Sequence, residues 1–218
     1  MTGVAHTAPN WEKTFTATTA DQTSALALRL ARLLEAGDLL VLSGELGAGK
    51  TTFTQGLGEG LGVRAGIISP TFVLVRIHPN LPDGPRPGGP DLVHVDAYRL
   101  GSAAEIDDID LENTMDSSVT VVEWGRDRVE HLSESRLEID LHRAVGLAGS
   151  GHVSGAGAGA PSAAGALSAA GAPSAAGALP ETLDFDEDET DEPRTIVMRG
   201  YGPRWQAAPD LGPAEGNH

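Results

Sequence analysis

"GELGAGKT", Gly44 to Thr51, decides the fold of this chain. It fits the phosphate-cradling pattern G-x-x-x-x-G-K-[ST] without substitution, a pattern that carries meaning only between a strand and a helix. Both flanks supply that context. "DLLVLSG", Asp38 to Gly44, is a short apolar run of strand composition. After Lys50 the chain reads as a helix, with Phe53, Leu57 and Leu61 on one face and with Gly56, Gly58 and Gly60 weakening it near its end. In such a turn the glycines let backbone N–H groups face phosphate oxygens, and the helix N-terminus adds partial positive charge. The expected cradle runs through Glu45, Leu46, Gly47, Ala48, Gly49, Lys50, Thr51 and Thr52. Lys50 is placed to reach β- and γ-phosphates, and the Thr51 hydroxyl to bind Mg²⁺.

A P-loop also needs an acid at the end of a neighbouring strand to organise the metal. "LVHVD" offers Asp96 and "VTVVE" offers Glu123, each directly after a strand run. Carboxylates there lie where open α/β sheets hold their ligands. Spacing leaves open which of the two binds the metal and which orients water. "SPTF", Ser69 to Phe72, follows the helix, and Thr71 in it reads either as the γ-phosphate sensor of a switch loop or as part of an ordinary Ser-Pro-Thr turn. Trp124 follows Glu123, as Tyr98 and Arg99 follow Asp96. The seven histidines show no metal-ligand spacing, and His94 reads as a plain strand residue.

Around this centre the chain alternates strand and helix. "KTFTAT" reads as an early strand, and Thr19 with Gln22 as a capping box before a helix through LALRLARLLEAG that Gly37 stops. "PTFVLVRIH" and "DLVHVDAY" read as strands about a Pro/Gly-rich loop, and Ser102 with Glu105 as a second capping box before a short acidic helix. In "RLEIDLHR", Leu137, Ile139 and Leu141 take one face and Glu138, Asp140 and His142 the other. From about Ala144 to Pro180 the composition becomes Gly/Ala/Ser/Pro with three hexads of the form SAAGA(L/P), followed by the acidic block DFDEDETDE, Asp184 to Glu192. Small residues bury too little area to offset chain entropy, so residues 144–193 read as a disordered linker and acidic spacer. "RTIVMRGYGPRW", Arg194 to Trp205, has strand composition again. It is expected to pair with the 136–143 strand as a hairpin with a long insertion, the alternative being a fold that ends at Arg143. Residues 206–218 read as a disordered tail.

The chain has 218 residues, a net charge of −16, no cysteine and only two lysines, Lys13 and Lys50. Without cysteine there are no disulfides or thiolate metal sites. The acidity argues against a large nucleic-acid footprint. No apolar run reaches the length of a membrane span and the N-terminus lacks the pattern of a secretory signal, so no membrane contact and a cytoplasmic location are expected.

Taken in order, "GELGAGKTTF", "SPTF" with the "LV" two residues on, "VDAYRL" and "VEW" resemble the TsaE (YjeE) family of bacterial P-loop ATPases of tRNA threonylcarbamoyladenosine synthesis. The likeness spans about Trp11 to Arg143 and returns at Arg194 to Trp205. It implies a P-loop NTPase-like three-layer α/β fold with a mixed central β-sheet, and ATP/ADP with Mg²⁺ as cofactors. It implies Lys50, Asp96 and Glu123 as catalytic residues, Thr51 and Glu123 as metal ligands, Thr71 in the switch-like loop and Trp124 beside the site. The Thr19 region would lie near the adenine. TsaB and TsaD are the implied partners, with tRNA reached through their complex. Two rival readings stand beside it. One is a small-molecule kinase, for which Arg126 and Arg128 are the local lid candidates. The other is a nucleotide-dependent binding module.

Overall fold

The computed structural model describes residues 8–70, 73–100, 102–107, 109, 111–143 and 192–212. Thr71, the linker with most of the acidic block (144–191) and the chain end beyond 212 lie outside the described residues.

Seven strands occur among the described residues: β1 (Trp11–Ala17), β2 (Leu39–Gly44), β3 (Val75–His78), β4 (Asp91–Asp96), β5 (Ser118–Glu123), β6 (Arg136–Arg143) and β7 (Arg194–Tyr201). They form one mixed sheet in the order β1-β7-β6-β2-β5-β4-β3. β6, β2, β5 and β4 run parallel, β7 runs antiparallel between β1 and β6, and β3 is antiparallel at the far edge. β2 lies at the centre, and Leu39, Leu40, Val41 and Leu42 are all fully buried, as a strand covered on both faces requires.

Two helices, α1 (Ala20–Ala31) and α2 (Lys50–Leu61), cover one face. Leu26, Leu30, Phe53, Leu57 and Leu61 pack there on Leu40, Leu42, Val121, Ile139 and Ile196. Truncating a fully buried leucine in this layer, such as Leu57, to alanine would destabilise by about 2–5 kcal/mol. The other face carries α3 (Ala103–Asp107) and α4 (Glu112–Met115), whose neighbourhood packs Ile106, Leu111 and Met115 on Leu39, Val41, Val93 and Val95. Helices on both faces of a mixed sheet make the three layers expected from the motif order.

Several local expectations are corrected. The three α2 glycines read as weakening the helix near its end lie within it; α2 runs through all three to Leu61, and Gly62 closes it at φ +75. They serve packing. A Cβ at Gly56 would stand 2.3 Å from the Ser24 carbonyl oxygen, so glycine lets α1 and α2 backbones approach closely. α1 begins as read, with Thr19 Oγ1 accepting from the Gln22 N–H at 3.2 Å, but the Gln22 side-chain oxygen returns to the Thr18 N–H at 2.7 Å. It also stops at Ala31, before Gly37. β3 begins only at Val75, because the Leu74 N–H turns back to the Pro70 carbonyl at 2.7 Å with Leu74 at φ +70.

The hairpin reading holds. β6 and β7 pair from Arg136↔Tyr201 to Arg143↔Arg194, so the fold does not end at Arg143. The tail begins later than 206. Lys13 Nζ donates to the Pro209 carbonyl at 3.2 Å, and Leu211, 3 % exposed, joins the α1/α2 layer.

Candidate functional site

β2 delivers the chain at Gly44, the loop turns through Gly47 (φ +76) and Gly49 (φ +96), and α2 starts at Lys50. Glycine at 49 is favoured by its backbone and sits close to Arg194. Its φ lies in the left-handed region, and a Cβ there would meet Arg194 Nε at 3.3 Å. No side chain caps this helix N-terminus, so the first-turn N–H groups face the loop mouth as an anion site needs. Glu45, Leu46 and Gly47 are exposed, Ala48 is buried, and Thr51 and Thr52 are half-buried in the first helical turn.

Lys50 is the centre of the site. Its ammonium donates to the carbonyls of Gly44 at 2.9 Å and Glu45 at 3.0 Å, and lies 4.0 Å from the centre of the Trp124 ring. Burial pushes this ammonium below the ordinary lysine pKa, against the opposing pull of Glu123 and Asp96.

Those two carboxylates stand opposite each other across the β4–β5 ladder, 4 % and 3 % exposed. Asp96 Oδ1 accepts from the Tyr98 N–H at 3.0 Å, and Oδ2 from the Ser69 hydroxyl at 3.1 Å. Glu123 Oε1 lies 2.8 Å from His94 Nε2. The strand exits are then tied together. Trp124 takes the left-handed backbone (φ +61) while its N–H donates to the Leu42 carbonyl at 2.9 Å, and this turn carries the ring over Lys50. The Tyr98 ring meets Trp124 edge-on at 5.3 Å. Arg128 Nη1 donates to the Ala97 carbonyl at 2.6 Å, bracing the β4 exit.

The structure therefore brings Lys50, Thr51, Asp96, Glu123 and Trp124 to one end of the sheet, as expected from their positions in the sequence. Three further residues join them. His94 is buried beneath the site rather than being a plain strand residue, and period two from Asp96 on β4 already puts the two on one face. Arg194 and Arg143 face each other at the end of the β6–β7 hairpin, and both flank the loop, near Gly49 and Gly47. No signal for them exists until residues 143 and 194 are known to pair. Arg143 is held by Glu192, its Nε 2.8 Å from Oε2. A pocket of about 310 Å³ lies at the β1–α1 junction, lined by Thr16, Ala17, Asp21, Gln22, Leu26 and Arg29, where Ala17 pairs with Arg194.

Among the described residues no cluster of three or more His, Asp and Glu forms a self-contained metal cage. A hydroxyl and one or two carboxylates are nonetheless the donor set that Mg²⁺ uses when phosphates and water complete its shell. Thr51 with Glu123 or Asp96 fits that pattern.

A β-strand, glycine-rich loop and helix at the centre of a three-layer α/β sheet, with acids at the ends of two neighbouring strands, define a P-loop NTPase-like fold. The family described as "Threonylcarbamoyl adenosine biosynthesis protein TsaE" matches residues 17–146, and the chain belongs to this family. A "tRNA threonylcarbamoyladenosine biosynthesis protein TsaE" from Streptomyces coelicolor is 61 % identical over 122 residues, which is 56 % of this chain and 79 % of that one. Its namesake from Mycobacterium tuberculosis H37Rv is 45 % identical over 129 residues, 56 % of this chain and 74 % of the relative. The Bacillus subtilis protein of that name is 40 % identical over 125 residues, covering 57 % and 73 %. Among solved structures, the crystal structure of Bacillus subtilis YdiB superposes with a TM-score of 0.53 at 26 % identity over 90 % of each chain.

Proposed function

We propose that this chain is the ATP-hydrolysing component of the complex, with TsaB and TsaD, that forms N6-threonylcarbamoyladenosine next to the anticodon in tRNAs reading A-starting codons. The observation that carries the ATPase part is the convergence of Lys50, Asp96 and Glu123 on the mouth of an uncapped P-loop. The names of the relatives and family membership support the pathway.

The P-loop N–H groups and Lys50 bind the triphosphate of ATP, which replaces the Gly44 and Glu45 carbonyls as acceptors of the ammonium. The adenine then lies toward the pocket between β1 and α1, beside Arg194. Thr51 with Glu123 would hold Mg²⁺, which when bound would supply neutralising charge to the phosphate oxygens. Asp96 orients the water that attacks the γ-phosphorus; the bond to the ADP oxygen breaks as the new P–O bond forms, and the water's proton leaves with the inorganic phosphate. Trp124 and Tyr98 shield this end of the site from bulk water.

Partner activation fits the rim. Leu46, Ile68 and Tyr98 are exposed; Leu46 lies in the P-loop, Ile68 precedes Ser69, which bonds Asp96, and Tyr98 packs on Trp124. The acidity of the chain fits action through protein partners, with tRNA reached indirectly. No helix among the described residues is long and apolar enough to cross a membrane. A cytoplasmic location completes the proposal. The kinase alternative loses its lid candidates, since Arg126 bonds Asp140 and Arg128 bonds backbone carbonyls.

The test is ATP turnover by the purified chain, alone and with TsaB and TsaD from the same source. Slow turnover that rises with both partners and is lost in Lys50→Ala is expected. Turnover indifferent to the partners but raised by a small-molecule acceptor would overturn the reading in favour of a kinase.

A further inference from the structure

We propose that His94 is a positioning residue for Glu123, fixing the plane of its carboxylate at the phosphate end of the site. This rests on the ATPase reading above and deepens it.

His94 is fully buried on β4, two residues before Asp96 and on the same sheet face. Its Nε2 meets Glu123 Oε1 at 2.8 Å, diagonally across the ladder in which Asp96 faces Glu123 directly. An ionised carboxylate only accepts hydrogen bonds, so with Glu123 ionised Nε2 carries the hydrogen. The other ring nitrogen, Nδ1, is buried without a partner. The ring therefore makes its side-chain bond through one nitrogen, and that bond goes to Glu123. A histidine kept for packing alone, on the face that carries Leu92 and Val121 and with the His78 ring 6.5 Å away, would leave half of its ring unsatisfied. A leucine or valine would fill that space without an orphaned nitrogen. The arrangement makes sense when the interaction with Glu123 is what the ring supplies.

The comparison with Asp96 points the same way. The short Asp96 side chain is held by a backbone N–H and by Ser69, one at each oxygen. Glu123 has one more rotatable bond, and His94 anchors one of its oxygens. Partners that orient a ligating or water-orienting carboxylate change activity by about 10–100-fold when removed.

The experiment is single-turnover ATP hydrolysis with TsaB and TsaD, alongside calorimetric binding of a non-hydrolysable ATP analogue. It uses the full chain carrying His94→Leu, His94→Gln, His94→Asn, Glu123→Gln and the His94→Leu/Glu123→Gln pair. His94→Leu is expected to lower the hydrolysis rate about 10–100-fold while analogue affinity stays within about threefold. Gln reaches about as far as Nε2 with an amide donor and should restore most of the rate; Asn is too short and should not. In the Glu123→Gln background, His94→Leu should change nothing further, because a residue that acts through Glu123 has nothing left to act on. Wild-type hydrolysis in His94→Leu overturns the proposal, as does an equal loss in both backgrounds. If His94→Leu does not fold, the Gln and Asn variants carry the test, and equal rates in those two sink it. Glu123→Gln hydrolysing like the wild type would instead overturn the role given to Glu123 itself.

Discussion

Two groups of buried charge lie at different places on the same sheet, and they are solved in opposite ways. On β6, Glu138 and Asp140 are 7 % and 4 % exposed, on the face away from α1 and α2. Each has arginine at bonding distance. Asp140 is bonded by Arg126 and Arg199, while Glu138 accepts from Arg136 Nε at 2.9 Å and from the Tyr201 hydroxyl at 3.2 Å. At the P-loop, two comparably buried carboxylates lie near the Lys50 ammonium, which donates to backbone carbonyls of its own loop. Asp96 and Glu123 are held instead by groups other than arginine: a hydroxyl, a backbone N–H and the His94 ring. The first group is charge cancelled within the fold. The second is charge kept oriented and available, which a site for a metal–nucleotide complex requires.

The strongest way to break this contrast is Lys50→Ala. Removing the cation from the loop takes away the donor that meets transferring phosphate, and hydrolysis with partners should fall by about 10²–10³-fold. A rate within threefold of wild type would remove Lys50 from the chemistry. Glu123→Gln comes next, with an expected loss of about 10²-fold in hydrolysis. Because Glu123 faces Asp96 across the ladder, neutralising it relieves like-charge repulsion, so urea unfolding should show no more than about 1 kcal/mol of destabilisation. A large loss of stability would place Glu123 in the same class as Asp140.

Asp140→Ala tests the other half. It strands Arg126 and Arg199, which are 40 % and 25 % exposed at their side chains and can turn toward water. The expected loss is therefore about 2 kcal/mol in urea unfolding, below the range for a fully buried pair. Hydrolysis by the folded fraction should be unchanged. A variant as stable as wild type but slow in hydrolysis would reverse the contrast.

How much of this was legible in the sequence follows from the range of each interaction. The strand, loop and helix around Gly44–Thr51 are local, and local periodicity located them. Asp96 and Glu123 were found because strand ends mark the ligand edge of such sheets. The β6–β7 pairing was anticipated from alternation, but its register bridges residues 143 and 194, and the arginines it sets beside the loop could not be read beforehand. The alternation also placed Glu138 and Asp140 away from Leu137 and Ile139 without showing that arginines from β5–β6 and β7 bury them. The α2 glycines were read by propensity, whereas packing decides them, Gly56 and Gly60 against α1 and Gly58 against Ile67 and Val63. His94 was within reach of period two, and only the distance to Glu123 gave it a role.

The smallest effect expected separates binding from stability by pH. Burial holds the Lys50 ammonium below the ordinary lysine pKa in the free protein, with Glu123 and Asp96 pulling it back up. As pH rises through that lowered value the loop loses its charge, so nucleotide affinity should weaken at a pH where an ordinary lysine is still protonated. Stability should move the other way. Between the folded and unfolded lysine pKa values the unfolded chain binds more protons, and stability then rises with pH. The cost of burying the charge is fully present below the folded value and gone above the unfolded one. Calorimetric affinity for an ATP analogue and urea unfolding, both followed from neutral pH upward, give the two slopes. Lys50→Met should flatten both contributions. Affinity and stability that fall together through this window in the wild type alone would mean that Lys50 is a structural cation, held like the arginines beside Asp140.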